Sequence, residues 1–345
     1  MRIFGFFAVL LLFAGAAIYG GLRSFNHFAE IDHVFEGQCT PVRGIIGPED
    51  IQIDPRRSRA FISSLDRRAD NVRGAIHIFD LNNPLSEGTW RDRTGGEPVA
   101  FEPFGMDFYD DGEVRRLFVV NQANNGVEMF DVAGDGALTH LETFTERRLT
   151  SPNSVVAVGR RSFYVTNDVR PGRSSRMGDL HFLTRAASGQ VLFTDGTIWR
   201  IAAEGLRFAN GIDISPDGAR AYVAETAGGA VQLFERNTET GALAPAGEIK
   251  LDASPDNLMV DEAGAVWIAA LPKPLTTPRH RANPETLSPS QVIRIGADGK
   301  PRTIYRDNGE ELSASTTAAR LDRTLLIGGL YDETFLICGL PDNAF

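Results

Sequence analysis

Short apolar segments alternate with polar positions along this chain, separated by turns rich in glycine, aspartate, asparagine and proline. The clearest unit spans residues 208–226, FANGIDISPDGARAYVAET, where Ile212 and Ile214 alternate with Asp213 before the turn at 215–218. Alternation with a period of two is typical of half-buried strands, and Ser-Pro-Asp-Gly is a β-turn sequence. This unit therefore predicts a β-hairpin.

Hairpins of the same kind recur at intervals of roughly fifty residues, which is the spacing of propeller blades rather than of helical repeats. The first strands of the six copies begin at Ile51, Met106, Val155, Ile212, Leu258 and Thr316. Most copies are followed by a second pair of strands, so the sequence predicts an all-β fold, a six-bladed β-propeller. We expect the residues between Cys39 and Glu49 to complete the last blade by pairing with the C-terminal chain.

Two long insertions, 170–192 and 272–288, interrupt the repeat. Each insertion carries several charged residues and one histidine. Insertions of this length are often lids or binding loops, and surface excursions are the equally common alternative.

The N-terminal residues 3–22 form an uninterrupted apolar run, and two interpretations compete. The run could be a secretory signal cleaved near residues 14–17, or an uncleaved helical anchor long enough to span a bilayer. The anchor is favoured because Tyr19 and the glycines after it are a poor cleavage context. We therefore divide the chain into a signal-anchor, 1–23, and the propeller, 24–345. The propeller is expected outside the cytosol, membrane-anchored in the periplasm or extracellular space, or secreted if the segment is cleaved.

The chain contains two cysteines, Cys39 and Cys338, at opposite ends of the predicted propeller. Buried free thiols are the usual alternative for an isolated pair. Disulfides persist in exported proteins, however, and one bond between the ends would lock the closure of a ring-shaped fold. The sequence therefore predicts a disulfide between them.

The formal net charge of the 345 residues is −10. A phosphate-binding surface needs a basic stripe, and none is visible, so a nucleic-acid partner is disfavoured. Part of the acidity is expected on a solvated surface and part around a cation.

Residues two places before each first strand point to that cation. They are Glu49, Phe104, Asn153, Asn210, Asp256 and Ala314. Because the innermost strands of a propeller line its central channel, residues at one offset should form a ring at one level. Four of the six carry carboxylate or amide oxygens, and Asp50 and Asn257 add two more at the next position.

This oxygen-rich set holds no histidine or cysteine, so zinc is disfavoured. A hard cation with six to eight oxygen ligands is the natural occupant, and calcium suits a site spread over several blades better than magnesium does. Each residue alone is more often part of an ordinary turn. The matched offsets in a closed repeat make a shared cation site the better interpretation.

Several of these segments together make the chain resemble the paraoxonase family of calcium-dependent lactonases and arylesterases. The matching segments are GPEDIQID at 47–54, SPNSVVAVG at 151–159, FYVTND at 163–168, FANGIDISPDG at 208–218, DNLMVD at 256–261 and LLIGGL at 325–330. The likeness runs from about Cys39 to Leu340. It implies a six-bladed propeller, a retained hydrophobic N-terminus and a disulfide joining Cys39 to Cys338.

The resemblance also implies a ligand set for a catalytic calcium: Glu49, Asn153, Asn210, Asp256 and Asn257. A second, structural calcium of the family would be held by Asp50, the main-chain carbonyl of Met106 and the position of Ser154. The family has an aspartate where Ser154 stands, and losing one carboxylate weakens a hard-cation site. The resemblance therefore supports one calcium more strongly than a second.

The chain departs from the family at the histidine pair proposed to activate water. Phe104 and Gln122 stand at these two positions, and Leu271 stands at a third family histidine. Neither Phe104 nor Gln122 can accept a proton near neutral pH. Together with Met106 they are expected to line the substrate pocket, where Phe104 makes the floor more apolar and favours hydrophobic acyl or lactone chains.

The remaining catalytic candidates are Glu49, Asp256 and Asp168, the last of which matches a family carboxylate near the site. The resemblance implies calcium-dependent hydrolysis of lactones or of aryl and carboxylic esters, in which the cation polarises the carbonyl and stabilises the oxyanion. A carboxylate bound to calcium is a weak base, so slower turnover or a different, reactive substrate is expected.

Two other functions stay open at this point. A gluconolactonase-like or strictosidine-synthase-like propeller would share the architecture with different chemistry, because fold does not fix function. A membrane-anchored, non-catalytic propeller that binds a ligand, with calcium purely structural, would explain the missing histidines. The sequence predicts neither the substrate nor the oligomeric state.

Overall fold

The computed structural model describes residues 2–84, 90–96, 98–173 and 175–345, with side chains from Leu12 onwards. Within these residues the strands form six four-stranded antiparallel sheets. The first strands of neighbouring sheets contact one another around a closed ring, so the sheets are the blades of a propeller. The predicted all-β, six-bladed β-propeller with an N-terminal helix is confirmed.

Strands are numbered in chain order, beginning with β1 (Gln38–Arg43), which belongs to the last blade. Blades 1 to 3 are β2–β5 (Pro48–Asp54, Arg59–Ser64, Ala75–Asp80, Trp90–Asp92), β6–β9 (Pro103–Asp110, Arg115–Asn121, Gly126–Val132, Leu138–Thr145) and β10–β13 (Pro152–Ala157, Phe163–Asn167, Gly189–Thr194, Trp199–Leu206). Blades 4 and 5 are β14–β17 (Ala209–Ile214, Arg220–Glu225, Ala230–Arg236, Leu243–Lys250) and β18–β21 (Ser254–Val260, Val266–Leu271, Ser290–Ile295, Pro301–Asp307). Blade 6 is β22–β24 (Ser315–Leu321, Thr324–Gly329, Thr334–Gly339) together with β1.

The described helices are α1 (Arg2–Ser24), α2 (Arg176–Leu183) and α3 (Thr277–Ala282), with short 3-10 turns at Pro55–Arg57, Pro274–Thr276 and Asp342–Ala344. Helices α2 and α3 are formed by the two insertions. Residues of both insertions line one cavity at the end of the channel, so these segments are cavity walls rather than surface excursions.

The ring closes where the two ends of the propeller pair. Strand β1 runs antiparallel to β24 with Cys39 opposite Cys338, and a disulfide joins the two residues. The predicted closure and the predicted disulfide are both confirmed. A structural disulfide is typical of an extracellular or periplasmic protein.

The N-terminal helix packs onto the propeller through its C-terminal end. The buried ring of Phe25, just beyond α1, stacks on Phe182 of α2 with the ring centroids 5.6 Å apart. The guanidinium of Arg185 lies 4.5 Å from the Phe25 ring centroid and donates to the Ser24 carbonyl at 2.6 Å. The searched residues contain no helix that is both long and apolar enough to cross a membrane. Residues 3–11 of the predicted anchor lie outside the part of the chain whose side chains are described.

The structure corrects the alignment of the sixth repeat. In blade 6, Ser315 pairs with Gly329 and Ala318 pairs with Ile327, with a register shift after Ser315. The same spacing occurs in blade 5, where Pro255 pairs with Ala270 and Leu258 with Ile268 across a register shift. Alignment of this copy on Thr316 is therefore wrong by two residues, and Thr316, rather than Ala314, holds the ring position. The Ser-Thr-Thr-Ala sequence lacks the large apolar residue that marks this point in the other blades.

Candidate metal centre and active site

Side chains from all six blades meet in the central channel at one level. The residues are Glu49, Phe104, Asn153, Asn210, Asp256 and Thr316, and none of them is more than 7% exposed. Each belongs to a first strand and lies within that strand's register shift. A β-bulge re-aims consecutive side chains, which is how six strands can direct polar groups to one place.

Two glycines in these bulges let the neighbouring blades approach closely. A Cβ on Gly105 would lie 2.6 Å from the Asn153 carbonyl oxygen, and one on Gly211 would lie 2.7 Å from the Asn257 Cα. Real Cβ atoms do not approach backbone atoms so closely, so blade 2 packs on blade 3, and blade 4 on blade 5, only with glycine here.

Four oxygens of this centre are buried without a hydrogen-bond partner. They are Glu49 Oε2, Asn153 Oδ1, Asn210 Oδ1 and Asn257 Oδ1. A buried acceptor left without a partner costs about 1–3 kcal/mol. Such groups rarely cluster in native proteins, so four of them in one place indicate a binding site for a ligand that interacts with oxygen.

Neighbouring hydrogen bonds fix the orientation of two of the amides, those of Asn210 and Asn257. Thr226 Oγ1 donates to the Pro255 carbonyl at 2.7 Å and therefore accepts from Asn210 Nδ2 at 3.0 Å. Asn257 Nδ2 donates to Glu49 Oε1 at 3.0 Å. The nitrogens of these two amides are thus occupied and their oxygens remain available, which is the polarity that a cation requires.

The electrostatics of the centre agree with this interpretation. Burial is the main cause that raises the pKa of Glu49 well above its usual value, and the nearby Asp50 raises it further. Burial likewise raises the pKa of Asp256 to about 7, although the Asn210 hydrogen bond opposes the change. Carboxylates in this centre are expensive to ionise together unless a positive charge joins them.

Asp50, predicted as a further ligand, is the residue after Glu49 on β2. Both of its carboxylate oxygens accept hydrogen bonds from other groups of the protein. Its Oδ1 accepts from Ile51 N and Thr317 Oγ1, and its Oδ2 accepts from Met106 N at 2.6 Å. These bonds connect blade 1 to blades 6 and 2. A role for Asp50 as a metal ligand stays a prediction, and its visible role is to hold blades together.

Two more channel carboxylates, Asp107 and Asp213, were not predicted from the sequence. Asp107 Oδ2 accepts from Ala157 N at 2.7 Å, and Asp213 Oδ2 accepts from Val260 N at 2.6 Å, each bond crossing to the next blade. Burial raises the pKa of Asp107 to about 8 and that of Asp213 to about 7. Their shared offset, one place after the first strand residue, was a signal that could have identified them.

A cavity of about 860 Å³ opens over the ring. Asn153, Asn210 and Asp256 line it, as do Phe104 and Gln122, which were predicted to do so. No histidine lines this cavity within the described chain.

Met106 is not part of the cavity wall. Its side chain is buried in the hydrophobic core with Phe61 and Leu117. In a regular strand, residues two places apart lie on the same face. The bulge between Pro103 and Met106 explains the difference, because it directs Phe104 into the channel and Met106 lies beyond it. The prediction that Met106 lines the pocket is corrected: Met106 is a core residue whose main-chain N–H serves Asp50.

Asp168 is fully buried and forms an ion pair with Arg173. Its Oδ1 accepts from Val169 N at 2.6 Å, and its Oδ2 accepts from Arg173 Nε at 2.7 Å and from a second nitrogen of the same guanidinium. Arg173, from the first insertion, lines the cavity whereas Asp168 does not. Any influence of Asp168 on the site would therefore pass through Arg173.

A second cluster of possible ligands lies on the outer edge of blade 5. His33, Asp307 and Glu311 have ligand atoms within 4.8 Å of one another. Asp307 Oδ1 already accepts from the main-chain N–H groups of Gly309 and Glu311, which is an ordinary turn. This cluster has none of the unpartnered oxygens that distinguish the channel site.

Comparison with known proteins identifies the family to which this chain is related. The family model described as Arylesterase matches residues 30–340. The chain is 32% identical to serum paraoxonase/arylesterase 2 of Gallus gallus, covering 91% of this chain and 92% of that protein, and 31% identical to serum paraoxonase/arylesterase 1 of Homo sapiens, covering 96% and 99%. Among solved structures, a gluconolactonase from Xanthomonas campestris superposes with a TM-score of 0.60 over 90% of this chain and 91% of its own, at 17% identity. At that identity the structural likeness concerns the fold alone.

Proposed function

The chain belongs to the arylesterase family of ester- and lactone-hydrolysing enzymes, and from that premise we propose that it is a calcium-dependent hydrolase of lactones or of aryl and carboxylic esters. The observation that carries the calcium requirement is the set of four buried oxygens without hydrogen-bond partners. They face a channel that opens into a substrate-sized cavity.

The residues present fit a hard divalent cation. Two carboxylates and three amides would hold it: Glu49, Asp256, Asn153, Asn210 and Asn257. Oxygen-only donors, two of them anionic, match the preference of calcium, and no soft donor lies among them. When bound, the ion supplies Lewis-acid polarisation of the substrate carbonyl.

The chain's own residues divide the remaining work. Asp256 lines the cavity and is the proposed acceptor of the proton from the attacking water, because it is the carboxylate of the ring that substrate can reach. Glu49 is fully buried, and its Oε1 is held by Asn257, so we assign it to the cation rather than to proton transfer. Phe104 supplies an apolar floor that limits water near the reacting carbonyl.

A non-catalytic propeller that binds a small molecule, with the cation purely structural, is the second candidate. Two observations favour it: the described cavity wall contains no histidine, and Asp168 is engaged by Arg173. In either case we propose attachment to a membrane through residues 3–22, with the propeller in an oxidising compartment consistent with its disulfide.

Hydrolysis of a panel of aliphatic lactones and phenyl esters tests the proposal directly. We expect full-length protein to release product with calcium, to lose that activity on chelation and to regain it when excess calcium is added. Calcium added with an equal amount of chelator serves as the control for effects of the chelator itself. Activity that survives exhaustive chelation would contradict the calcium requirement. A calcium-dependent rise in Tm with no hydrolysis of any substrate would favour the binding propeller.

The raised carboxyl pKa values predict how pH affects the calcium-free protein. In the folded state Asp256 keeps its proton up to about pH 7, whereas its usual pKa is 3.8, and Glu49 is shifted in the same direction. Between about pH 4 and pH 7 the unfolded chain therefore binds fewer protons than the folded chain, so the free energy of unfolding falls as pH rises. We expect the Tm of chelated protein to be higher at pH 6 than at pH 8, and the stabilisation by calcium to be larger at pH 8.

Thermal unfolding with and without chelator between pH 6 and pH 8 measures both trends. Asp256→Asn removes one of the titrating groups and should flatten the pH dependence of the chelated protein, whereas Glu239→Gln, at an exposed site, should leave it unchanged. A chelated protein whose Tm rises across this range would show that these carboxylates do not titrate as described.

A further inference from the structure

Two guanidinium groups lie against the same aromatic ring at the floor of the cavity. The Cζ of Arg67 lies 4.9 Å from the Phe104 ring centroid, and the Cζ of Arg173 lies 4.6 Å from it. All three residues line the cavity, and Phe104 itself holds a position in the channel ring. Two like charges are therefore held close to the candidate reaction centre.

Arg67 is held in place without a hydrogen-bonded carboxylate. Its NH1 donates to the Gly47 and Leu65 carbonyls at 3.0 and 3.3 Å, and its NH2 donates to the Pro103 carbonyl at 2.9 Å. Its Nε is buried and has no hydrogen-bond partner. Burial lowers the pKa of Arg67 to about 10, so the side chain remains a cation at neutral pH.

Arg173 has a different arrangement, because Asp168 neutralises it. The bonds from Arg173 to Asp168 Oδ2 orient the guanidinium over Phe104. The two guanidiniums and the one paired carboxylate leave a net charge of +1 beside Phe104. The largest opposing electrostatic influence on the pKa of Arg67 is the charge of Glu49, which the proposed function assigns to the cation.

Besides Asp256, which the proposed function assigns to the cation, four carboxylates line the cavity wall. Asp66 and Glu102 are half-buried, and Asp70 and Asp179 are exposed. Within the described chain none of these four is hydrogen-bonded to either guanidinium. Exposed charges are screened by water and salt, so Asp70 and Asp179 weaken the potential at the two arginines only slightly. The half-buried Glu102 acts on the pKa of Arg67 less strongly than Glu49 does.

We infer that the substrate carries a carboxylate close to its scissile carbonyl and that Arg67 and Arg173 bind this group. The inference rests on the proposed hydrolase function and names its substrate class: half-esters of dicarboxylic acids, or lactones with a carboxylate substituent. Guanidinium groups recognise carboxylates through charge-assisted hydrogen bonds. Donors remain for this on both side chains, namely one N–H of Arg67 NH2 and the NH1 group of Arg173, since the other donors are bonded or buried as described above. A single negative charge matches the net +1 at this place, whereas a phosphate dianion would exceed it.

The geometry assigns each part of such a substrate to a wall of the cavity. The carbonyl faces the oxygens of the channel ring, and the carboxylate lies beside the two arginines. Phe104 belongs to the channel ring and also contacts both guanidiniums, so the methylene groups between the two polar ends of the substrate pass beside its side chain. In this arrangement Phe104 positions the two arginines as well as forming the apolar floor of the pocket.

Matched esters test the inference through release of phenol. The anionic probes are the phenyl half-esters of succinic, glutaric and adipic acid, and each is compared with the phenyl methyl diester of the same acid after spontaneous hydrolysis is subtracted. We expect at least one half-ester to exceed its neutral diester about tenfold in kcat/KM, the ratio given by roughly 1.4 kcal/mol of binding to one charged group.

Variants then assign the preference to the two arginines. Arg173→Gln and Arg67→Gln should each remove most of the preference by lowering kcat/KM for the half-ester about tenfold, with the neutral diester changed less than about threefold. Arg173→Lys should retain part of it. Arg170→Gln and Arg176→Gln, at exposed sites of the same insertion, are the matched controls. Arg67 also donates hydrogen bonds to three main-chain carbonyls, so Arg67→Gln could prevent folding. In that case Arg173→Gln alone tests the inference.

A binding measurement separates this inference from the proposed function. Glutarate in the presence of calcium should raise the Tm of the wild type but not that of Arg173→Gln. Equal or faster hydrolysis of the neutral diester by the wild type would overturn the carboxylate preference and leave the hydrolase intact. Failure to hydrolyse either ester would count against the hydrolase function. In that case the effect of glutarate on the Tm decides whether the carboxylate site exists: a rise in the wild type supports the site, and no rise overturns it.

Discussion

Asp256→Ala is expected to lower kcat/KM for ester or lactone hydrolysis by about 100- to 1,000-fold, the range measured when one electrostatic stabiliser of a transition state is removed. Asp256 belongs to the ring in the channel and to the wall of the cavity, so its loss affects both the cation and the substrate. The remaining donors, Asn153, Asn210 and Asn257, are neutral, so the variant keeps only the charge of Glu49 for a divalent ion. Glu262→Ala, an exposed position just after the same strand, should keep full activity.

Asp256→Asn separates the two roles assigned to this side chain. Asparagine keeps an oxygen donor of the same size but cannot accept a proton from water near neutral pH. If Asp256 acts only as a ligand, saturating calcium should restore most of kcat in this variant. If it also takes the proton, kcat should stay low at every calcium concentration while calcium still raises the Tm. Full calcium-dependent hydrolysis by Asp256→Ala would contradict both roles.

Much of this centre could be predicted because a repeat converts sequence offsets into positions in space. Glu49, Asn153, Asn210 and Asp256 lie at one offset in four copies, and the closed ring brings that offset to one level. Amphipathic alternation located the first strands, and the two distant cysteines indicated how the ring closes. These features depend on local pattern and on topology, both of which the sequence carries.

Other residues of the site depend on contacts that no periodic pattern encodes. Thr316 was missed because Ser-Thr-Thr-Ala has no large apolar residue to fix the register, which only the pairing of Ala318 with Ile327 reveals. Arg67 follows a strand of blade 1 and reaches a ring from blade 2, so its place depends on how the blades pack. The approach of Arg173 depends in the same way on the path of a long insertion.

Opening the Cys39–Cys338 disulfide is expected to lower the free energy of unfolding by about 2–5 kcal/mol, the usual cost of losing a native disulfide. The two cysteines are 299 residues apart, so in the unfolded chain the bond constrains nearly the whole propeller. In the folded chain it fastens β1 to β24, and without it β1 is held only by strand pairing and side-chain packing at the blade edge. Fraying of β1 would expose the edge of β24, so aggregation on heating should also increase.

Denaturant unfolding of the same protein, oxidised and then reduced, measures this loss without any substitution. The double variant Cys39→Ala/Cys338→Ala should show lowered stability that no longer responds to reductant. Hydrolysis at 25 °C should change little on reduction, because the ring residues lie on the first strands of the blades whereas β1 and β24 form the outer part of blade 6. If reduction exposes both thiols yet leaves the free energy of unfolding unchanged, the closure of the propeller depends on strand pairing rather than on the covalent bond.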